Sequence, residues 1–293
     1  MVLEALINPE KAESSPSLMI FLGFIYTSLA MLLSYFIFKE YSSLFMTFLA
    51  TIASIPIIYK LTKLEEQKDL TDSSEVMLLG EHAKALSSFM YLFLGATAAF
   101  MLWYIVLPSS TISVLFESQS STIASINGRT TLLSGTGHTT GNVIDPFAVF
   151  STIFFNNVKV LLFCVLFSFL YGAGAIFILM WNASIIGTAI GNFIRTNLAT
   201  LANQLGGASI GAYLSVVSIG LFKYIIHGVP EILAYFVGAL ASGIISIAII
   251  NHDVSTRKFE HVLLDSADLL MLSMFILFIA ALLEVFVTPA IFG

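Results

Sequence analysis

Long apolar runs without charge constrain this chain more than any other feature. Residues 17–38 contain no charged side chain, and a helix needs about 20 mostly apolar residues to cross a bilayer. The run is too long for the core of a secretory signal, and the residues before it include Glu4, Glu10 and Glu13 with a single lysine, Lys11. We therefore expect a retained first membrane helix.

Further runs of this kind predict an all-α fold, a polytopic membrane bundle of about seven transmembrane helices with interfacial amphipathic helices. Apolar residues make up 58% of the chain and charged residues 10%, against roughly 45–50% and 25% in soluble domains. We divide the run 148–181 near Asn157, and a later run at Gly228 and Pro230, because these two residues suit a break between helices. The expected spans are 17–38, 41–59, 86–107, 158–181, 208–227, 229–250 and 267–288.

The basic residues between the spans predict the orientation. Segments 60–85 and 251–266 are rich in lysine and arginine, whereas segment 109–146 holds Arg129 alone. Because basic loops stay in the cytoplasm, we expect a multi-pass protein of the cell membrane with a cytoplasmic N-terminus and an outer C-terminus. Arg195 then falls on the inner side.

The segments between the spans have their own expected structures. Residues 60–85 resemble a charged cytoplasmic helical hairpin, with His82 on its solvated surface. Residues 109–146 predict one amphipathic helix on the outer surface, followed by a loose loop. Residues 182–207 mix apolar and polar positions in the manner of an interfacial helix on the inner face.

Polar residues inside the last four spans mark the candidate site. Such residues are costly in lipid and usually face a cavity or one another. The expected topology brings seven of them to the outer leaflet: Asn156, Asn157, Lys159, Lys223, His227, Glu231 and Glu284. They predict a polar pocket, in which a hydrogen bond between His227 and Glu231 would lock a hairpin. Lys159 and Lys223 can instead reach the outer headgroups separately.

A metal site is a second interpretation of these residues. His227, Glu231 and Glu284 would supply three ligands, the number that zinc hydrolysis requires. No HExxH pattern, nucleophile elbow or phosphate-binding glycine loop accompanies them, so we assign no catalytic residues, no cofactor and no enzyme class. The single cysteine, Cys164, permits neither a disulfide nor a thiolate cage. The net charge of −6 without a long basic run argues against nucleic acid as a partner.

Small residues recur at every fourth position in three places, a spacing that lets membrane helices approach closely. They predict helix packing inside the bundle or a homodimer. These residues are Gly187, Gly191, Gly207, Gly211, Ala234, Gly238 and Ser242.

Several short motifs together resemble the stage II sporulation protein M family of integral membrane proteins. They are the string Phe154-Phe155-Asn156-Asn157, the string Tyr171-Gly172-Ala173-Gly174, then Asn182 and Gly187, then His227-Gly228-Val229-Pro230-Glu231, and the glycines Gly238 and Gly243. The resemblance covers about residues 86–290 and makes Asn156, Asn157, His227, Gly228 and Glu231 its signature positions.

This resemblance divides the chain into two parts. Residues 1–85 form a two-helix membrane hairpin with a charged cytoplasmic segment, as in the longer archaeal-type members. Residues 86–293 form the membrane domain that is similar to the family, with its outer loop at 109–146.

The resemblance implies a non-catalytic scaffold in an envelope or membrane-remodelling assembly. Membrane lipid and protein partners in the membrane or envelope are the expected ligands. Two alternatives stay open: a transporter or channel that uses the Lys, His and Glu cluster, and an intramembrane metal-dependent hydrolase.

Overall fold

The protein is a bundle of long α-helices. The computed structural model describes residues 15–71, 75–133, 146–171, 175–205, 210–251 and 257–292, and these residues contain no strand. The helices are α1 (Pro16–Ile37), α2 (Ser42–Thr71), α3 (Glu75–Val106), α4 (Ser109–Leu115), α5 (Glu117–Leu133), α6 (Pro146–Tyr171), α7 (Ile176–Leu205), α8 (Ile210–Asn251), α9 (Arg257–Leu282) and α10 (Thr288–Phe292), with a 3₁₀ turn at Lys39–Tyr41 and a π-helical turn at Leu283–Val287.

Seven of the described helices are long and apolar enough to cross a membrane. Their candidate spans are Ser17–Ile37, Lys39–Glu65, His82–Val106, Pro146–Phe169, Ile176–Thr200, Leu214–Ile250 and Phe259–Ile291. The expected fold class and the expected number of spans are therefore confirmed. Two of the expected boundaries between spans are not.

The expected break at Gly228 and Pro230 is wrong, because α8 runs through both residues without interruption. Proline removes one backbone donor from a helix, but neighbouring helices in a membrane bundle can support the affected turn. The half of α8 that follows Pro230 is enclosed by α6, α7 and α9. At 1.5 Å per residue, its 42 residues extend about 63 Å, roughly twice the hydrocarbon thickness.

The expected span 158–181 and the expected interfacial helix 182–207 are also wrong. The chain instead forms two separate spans here, α6 and α7, with the junction near residues 172–174, which lie outside the described part of the chain. Polar side chains of α7 are accommodated within the membrane helix: the Asn182 and Asn197 amides donate to carbonyls one turn earlier. One expected span is lost at α8 and one is gained at α7, so the total is unchanged.

Helices α1 and α3 approach each other closely through their backbones. A Cβ atom added to Gly23 would meet the carbonyl oxygen of Leu92, and one added to Gly95 would meet that of Ile20. Since only glycine allows such an approach, these two positions join the first span firmly to the third.

Helices α4 and α5 dock onto the bundle, so the expectation of a single helix lying on the outer surface is wrong. Phe116, between the two helices, is completely buried. The Gln119 side-chain amide donates to the Ser43 carbonyl at 3.0 Å and to Ser184 Oγ at 3.2 Å. This segment therefore ties α2 to α7. The expected loose loop falls mostly on residues 134–145, which lie outside the described residues.

The expected hairpin at 60–85 is helical on both sides, because α2 extends to Thr71 and α3 starts at Glu75. The expected exposure of His82 is wrong. The residue is 3% exposed, and its Nδ1 lies 2.8 Å from the carboxylate of Glu65, which is itself 0% exposed. The side chains of residues 66–81 are not described.

Candidate functional site

The seven polar residues that predict one outer pocket separate into two groups. His227, Glu231 and Glu284 lie along the contact of α8 with the end of α9, whereas Asn156 and Lys159 are exposed on α6. Asn157 is buried on the opposite face of α6. The Lys223 side chain lies outside the described residues.

Hydrogen bonds to neighbouring side chains hold His227 and Glu231 of the internal group. His227 Nδ1 lies 3.2 Å from Thr288 Oγ1, and the Thr288 hydroxyl donates to the Leu283 carbonyl at 3.1 Å. The donor in the contact between His227 and Thr288 depends on the tautomer of the imidazole ring. One turn further along α8, the Tyr235 hydroxyl donates to Glu231 Oε1 at 2.8 Å.

These contacts replace the expected lock between His227 and Glu231. Helix α8 is continuous there, so no hairpin needs to be locked. The hydrogen bonds that the structure describes for these side chains include one from His227 to Thr288 in α10 and one from Glu231 to Tyr235. His227 therefore connects the middle of α8 to the C-terminal end of the chain.

Glu284 brings a second carboxyl group to this region. It lies in the π-helical turn Leu283–Val287, close enough to Glu231 for the two carboxyl groups to interact electrostatically. A π-turn inserts one extra residue into a helix and is often found at functional sites. Two carboxyl groups, a phenol and an imidazole are thus within one segment of the α8 and α9 contact. We call Glu231, Glu284, Tyr235 and His227 the carboxyl cluster.

Asn157 shares the buried face of α6 with Leu161 and Cys164. Leu161 contacts the position of Gly238 on α8, so this face of α6 packs against α8. Asn157 lies one turn before Leu161, on the side of the bundle where the carboxyl cluster lies.

The described small residues mostly mark contacts within the bundle. A Cβ atom on Gly187 would lie 2.7 Å from Phe100 Cβ, and one on Gly191 would lie 2.9 Å from Tyr104 Cβ, so both positions pack against α3. Gly238 faces Leu161 and Ser273. Ala234 and Ser242 are buried and Gly211 is exposed, while Gly207 lies outside the described residues.

Arg195 joins α7 to the end of α3, and the position expected for it from the sequence is wrong. Its guanidinium donates to the carbonyls of Leu107 at 2.7 Å and Tyr104 at 3.3 Å, and to Ser109 Oγ at 2.9 Å. It therefore lies at the same end of the bundle as segment 109–146, not at the opposite end. Carbonyls at the end of a helix lack partners within it, and Pro108 just after α3 was the signal that a cation could cap this end.

A polar cleft of about 710 Å³ adjoins Arg195. Its lining combines hydroxyl, amide and charged groups from α3, α4, α5 and α7, including Asn192, Glu117 and Thr196. The Tyr104 hydroxyl donates to Asn192 Oδ1 at 3.3 Å on its wall.

The alternative of a metal site receives no support from the geometry. Within the described ranges, no group of three or more His, Cys, Asp or Glu side chains is arranged to hold a metal ion. His227 makes its Nδ1 contact with a hydroxyl rather than with either carboxylate.

Seven membrane-crossing helices with a polar interior contact define a multi-pass helical membrane protein. The sequence model for stage II sporulation protein M matches residues 18–289, and the chain belongs to this family. The match extends beyond the expected 86–290 and takes in the first two spans. No curated protein and no solved structure gives a significant match to the chain.

Proposed function

We propose that this protein is a non-catalytic, partner-binding component of a membrane or envelope assembly, and that it binds its partner through the outward face of α6. The observation that carries the proposal is a charged side chain exposed at the middle of a membrane span. The family assignment agrees with this function, because the resemblance to this family implies a non-catalytic scaffold.

The outward face of α6 consists of exposed residues at helical spacing. Its members are Phe155, Asn156, Lys159, Leu162, Phe163 and Leu166. We call this set the α6 face. Its apolar residues suit the hydrocarbon of a bilayer, but the amide of Asn156 and the ammonium of Lys159 do not.

The depth of Lys159 makes its exposure costly. Helix α6 has 26 residues, about 39 Å at 1.5 Å per residue, so about six residues lie outside a hydrocarbon core of ~30 Å. If all six lie at the N-terminal end, Lys159 is still about 10 Å inside the core. A charged side chain at the bilayer centre costs roughly 2.5–3.5 kcal/mol on insertion scales.

A partner helix would remove this cost by covering the α6 face. The complementary partner is a transmembrane segment that presents a carboxylate or another acceptor to Lys159 and a hydrogen-bonding group to Asn156. The apolar residues on either side would pack against the same segment. A scaffold needs a surface that a partner helix covers, whereas an enzyme does not require one.

Site-directed photo-crosslinking in native membranes tests this function. A photoreactive side chain at Leu162 should form an adduct with one membrane protein of defined mass, whereas the same probe at Phe275, exposed on α9, should label lipid. Lys159→Leu should abolish the protein adduct. Equal lipid labelling at both positions would overturn the proposal, and an adduct with a second copy would replace the partner by a homodimer.

Movement of a proton or cation is a second candidate function, which the two carboxyl groups of Glu231 and Glu284 at the contact of α8 with the end of α9 favour. Intramembrane carboxyl groups commonly line ion or proton paths. The flux of protons or cations into proteoliposomes should then be at least tenfold lower for Glu284→Gln than for the wild type. Equal flux in protein-free liposomes and in wild-type proteoliposomes would exclude this function.

A further inference from the structure

A cavity of about 170 Å³ lies between α3, α7 and α8. Its lining is apolar except for Thr97 and Tyr224, and the Thr97 hydroxyl donates to the Phe93 carbonyl of its own helix. A water molecule needs two to four polar partners, whereas almost none of the surface that lines this cavity is polar. The cavity is therefore suited to hydrocarbon rather than to water.

Gly228 forms part of the wall and leaves the cavity open. A Cβ atom added there would meet no atom within 4 Å, whereas at Gly187 and Gly191 it would collide with α3. Gly228 is therefore not required for close helix packing. What it provides is empty space where any other residue would place a side chain.

The cavity lies near the middle of the membrane. The lining residues of α3 fall between Met90 and Met101, at the centre of the span His82–Val106, and those of α7 are Ile186 and Ile190, at the centre of Ile176–Thr200. Lipid chains end at this depth, because each leaflet fills half of the hydrocarbon core.

The cavity also opens onto the surface that faces lipid. Leu94, Ile225 and Val229 line it and are exposed on the outside of the bundle. An α-helix is 10–12 Å wide with its side chains, too wide for a space of 170 Å³. A dry engineered cavity of about 150 Å³ binds a single benzene ring, so this space matches a short piece of hydrocarbon.

We propose that the cavity between α3, α7 and α8 binds the terminal segment of a lipid hydrocarbon chain, and that Gly228 keeps the site open. Burial of apolar surface provides the affinity, at roughly 25 cal/mol per Å². The chain enters sideways from the bilayer past Leu94 and Val229. This site is separate from the α6 face and does not depend on the function proposed for it.

Photoreactive phospholipids in nanodiscs test the site. One lipid carries a diazirine at the end of an acyl chain, and a matched lipid carries it beside the ester. We expect the chain-end probe to label the lining residues of α3 and α8, including Met90, Met101 and Ile225, at least tenfold more than the ester probe does. Mass spectrometry of the digested protein locates the adducts.

Two variants fill the cavity from different helices. Gly228→Leu and Ala98→Leu should each reduce labelling of the lining residues at least tenfold, while Ala267→Leu, which adds the same bulk at an exposed position on α9, should leave it unchanged. Two filling variants are used so that a folding defect in one does not decide the result. Equal labelling by the two probes, or unchanged labelling in a folded filling variant, would overturn the proposal.

Discussion

His82 Nδ1 lies 2.8 Å from the Glu65 carboxylate, and both side chains are buried at the end of the α2 and α3 hairpin. The two residues lie 17 positions apart, on helices that run in opposite directions. This pair joins the ends of two membrane spans where the chain turns back.

Removing the imidazole should destabilise the protein strongly. His82→Ala leaves the Glu65 carboxylate buried without this partner, and breaking a buried pair in this way costs about 3–5 kcal/mol. We expect a clear fall in melting temperature in detergent, measured by fluorescence. Lys63→Ala, an exposed position near the same end of α2, is the control. An unchanged melting temperature in His82→Ala would show that the pair contributes little.

Arg195 should stabilise the C-terminal end of α3. Arg195→Leu removes three donated hydrogen bonds, two part-buried and one exposed, so carbonyls at the end of α3 lose a charged donor. We expect faster hydrogen exchange across residues 104–113, with Arg195→Lys intermediate because one ammonium cannot reproduce the guanidinium fork. Equal exchange in all three proteins would contradict this role.

Gln119 should hold α5 on the bundle. Gln119→Ala removes both donors to Ser43 and Ser184, so limited proteolysis within residues 109–133 should become several-fold faster. Ser113→Ala, at an exposed position of α4, should not change the cleavage rate. If cleavage in Gln119→Ala stays at the wild-type rate, the apolar contact of Phe116 alone suffices for docking.

The basic segments predict the orientation, and thiol labelling tests this prediction. Ser113→Cys should react with a membrane-impermeant reagent in intact cells, whereas Lys63→Cys should react only after permeabilisation. The buried Cys164 keeps the background low. The reverse pattern would place the N-terminus outside. The predicted orientation does not change with the corrected boundaries, because the span lost at α8 and the span gained at α7 preserve the alternation.

Part of the candidate site could be foreseen from the sequence. Glu231 and Glu284 are isolated carboxyl groups in apolar runs, and their cost in lipid predicts that they face protein, as they do. The partners of these residues could not be foreseen. Tyr235 and Thr288 are ordinary residues of apolar helices until the helix contacts bring them to Glu231 and His227.

The amino-acid sequence by itself determined the class of this protein, the number of its spans and its family. Each long apolar run can span the bilayer as a helix. The hydrocarbon core offers no water to the backbone N–H and C=O groups, so these groups must bond to one another within the helix. Tertiary structure alone decided three other features: the continuity of α8 through Pro230, the burial of His82 on Glu65, and the position of Arg195 on α3. Each depends on contacts between residues far apart in the chain. These contacts supply hydrogen-bond partners to Glu65 and to the carbonyls at the end of α3, and they enclose the turn of α8 that Pro230 weakens.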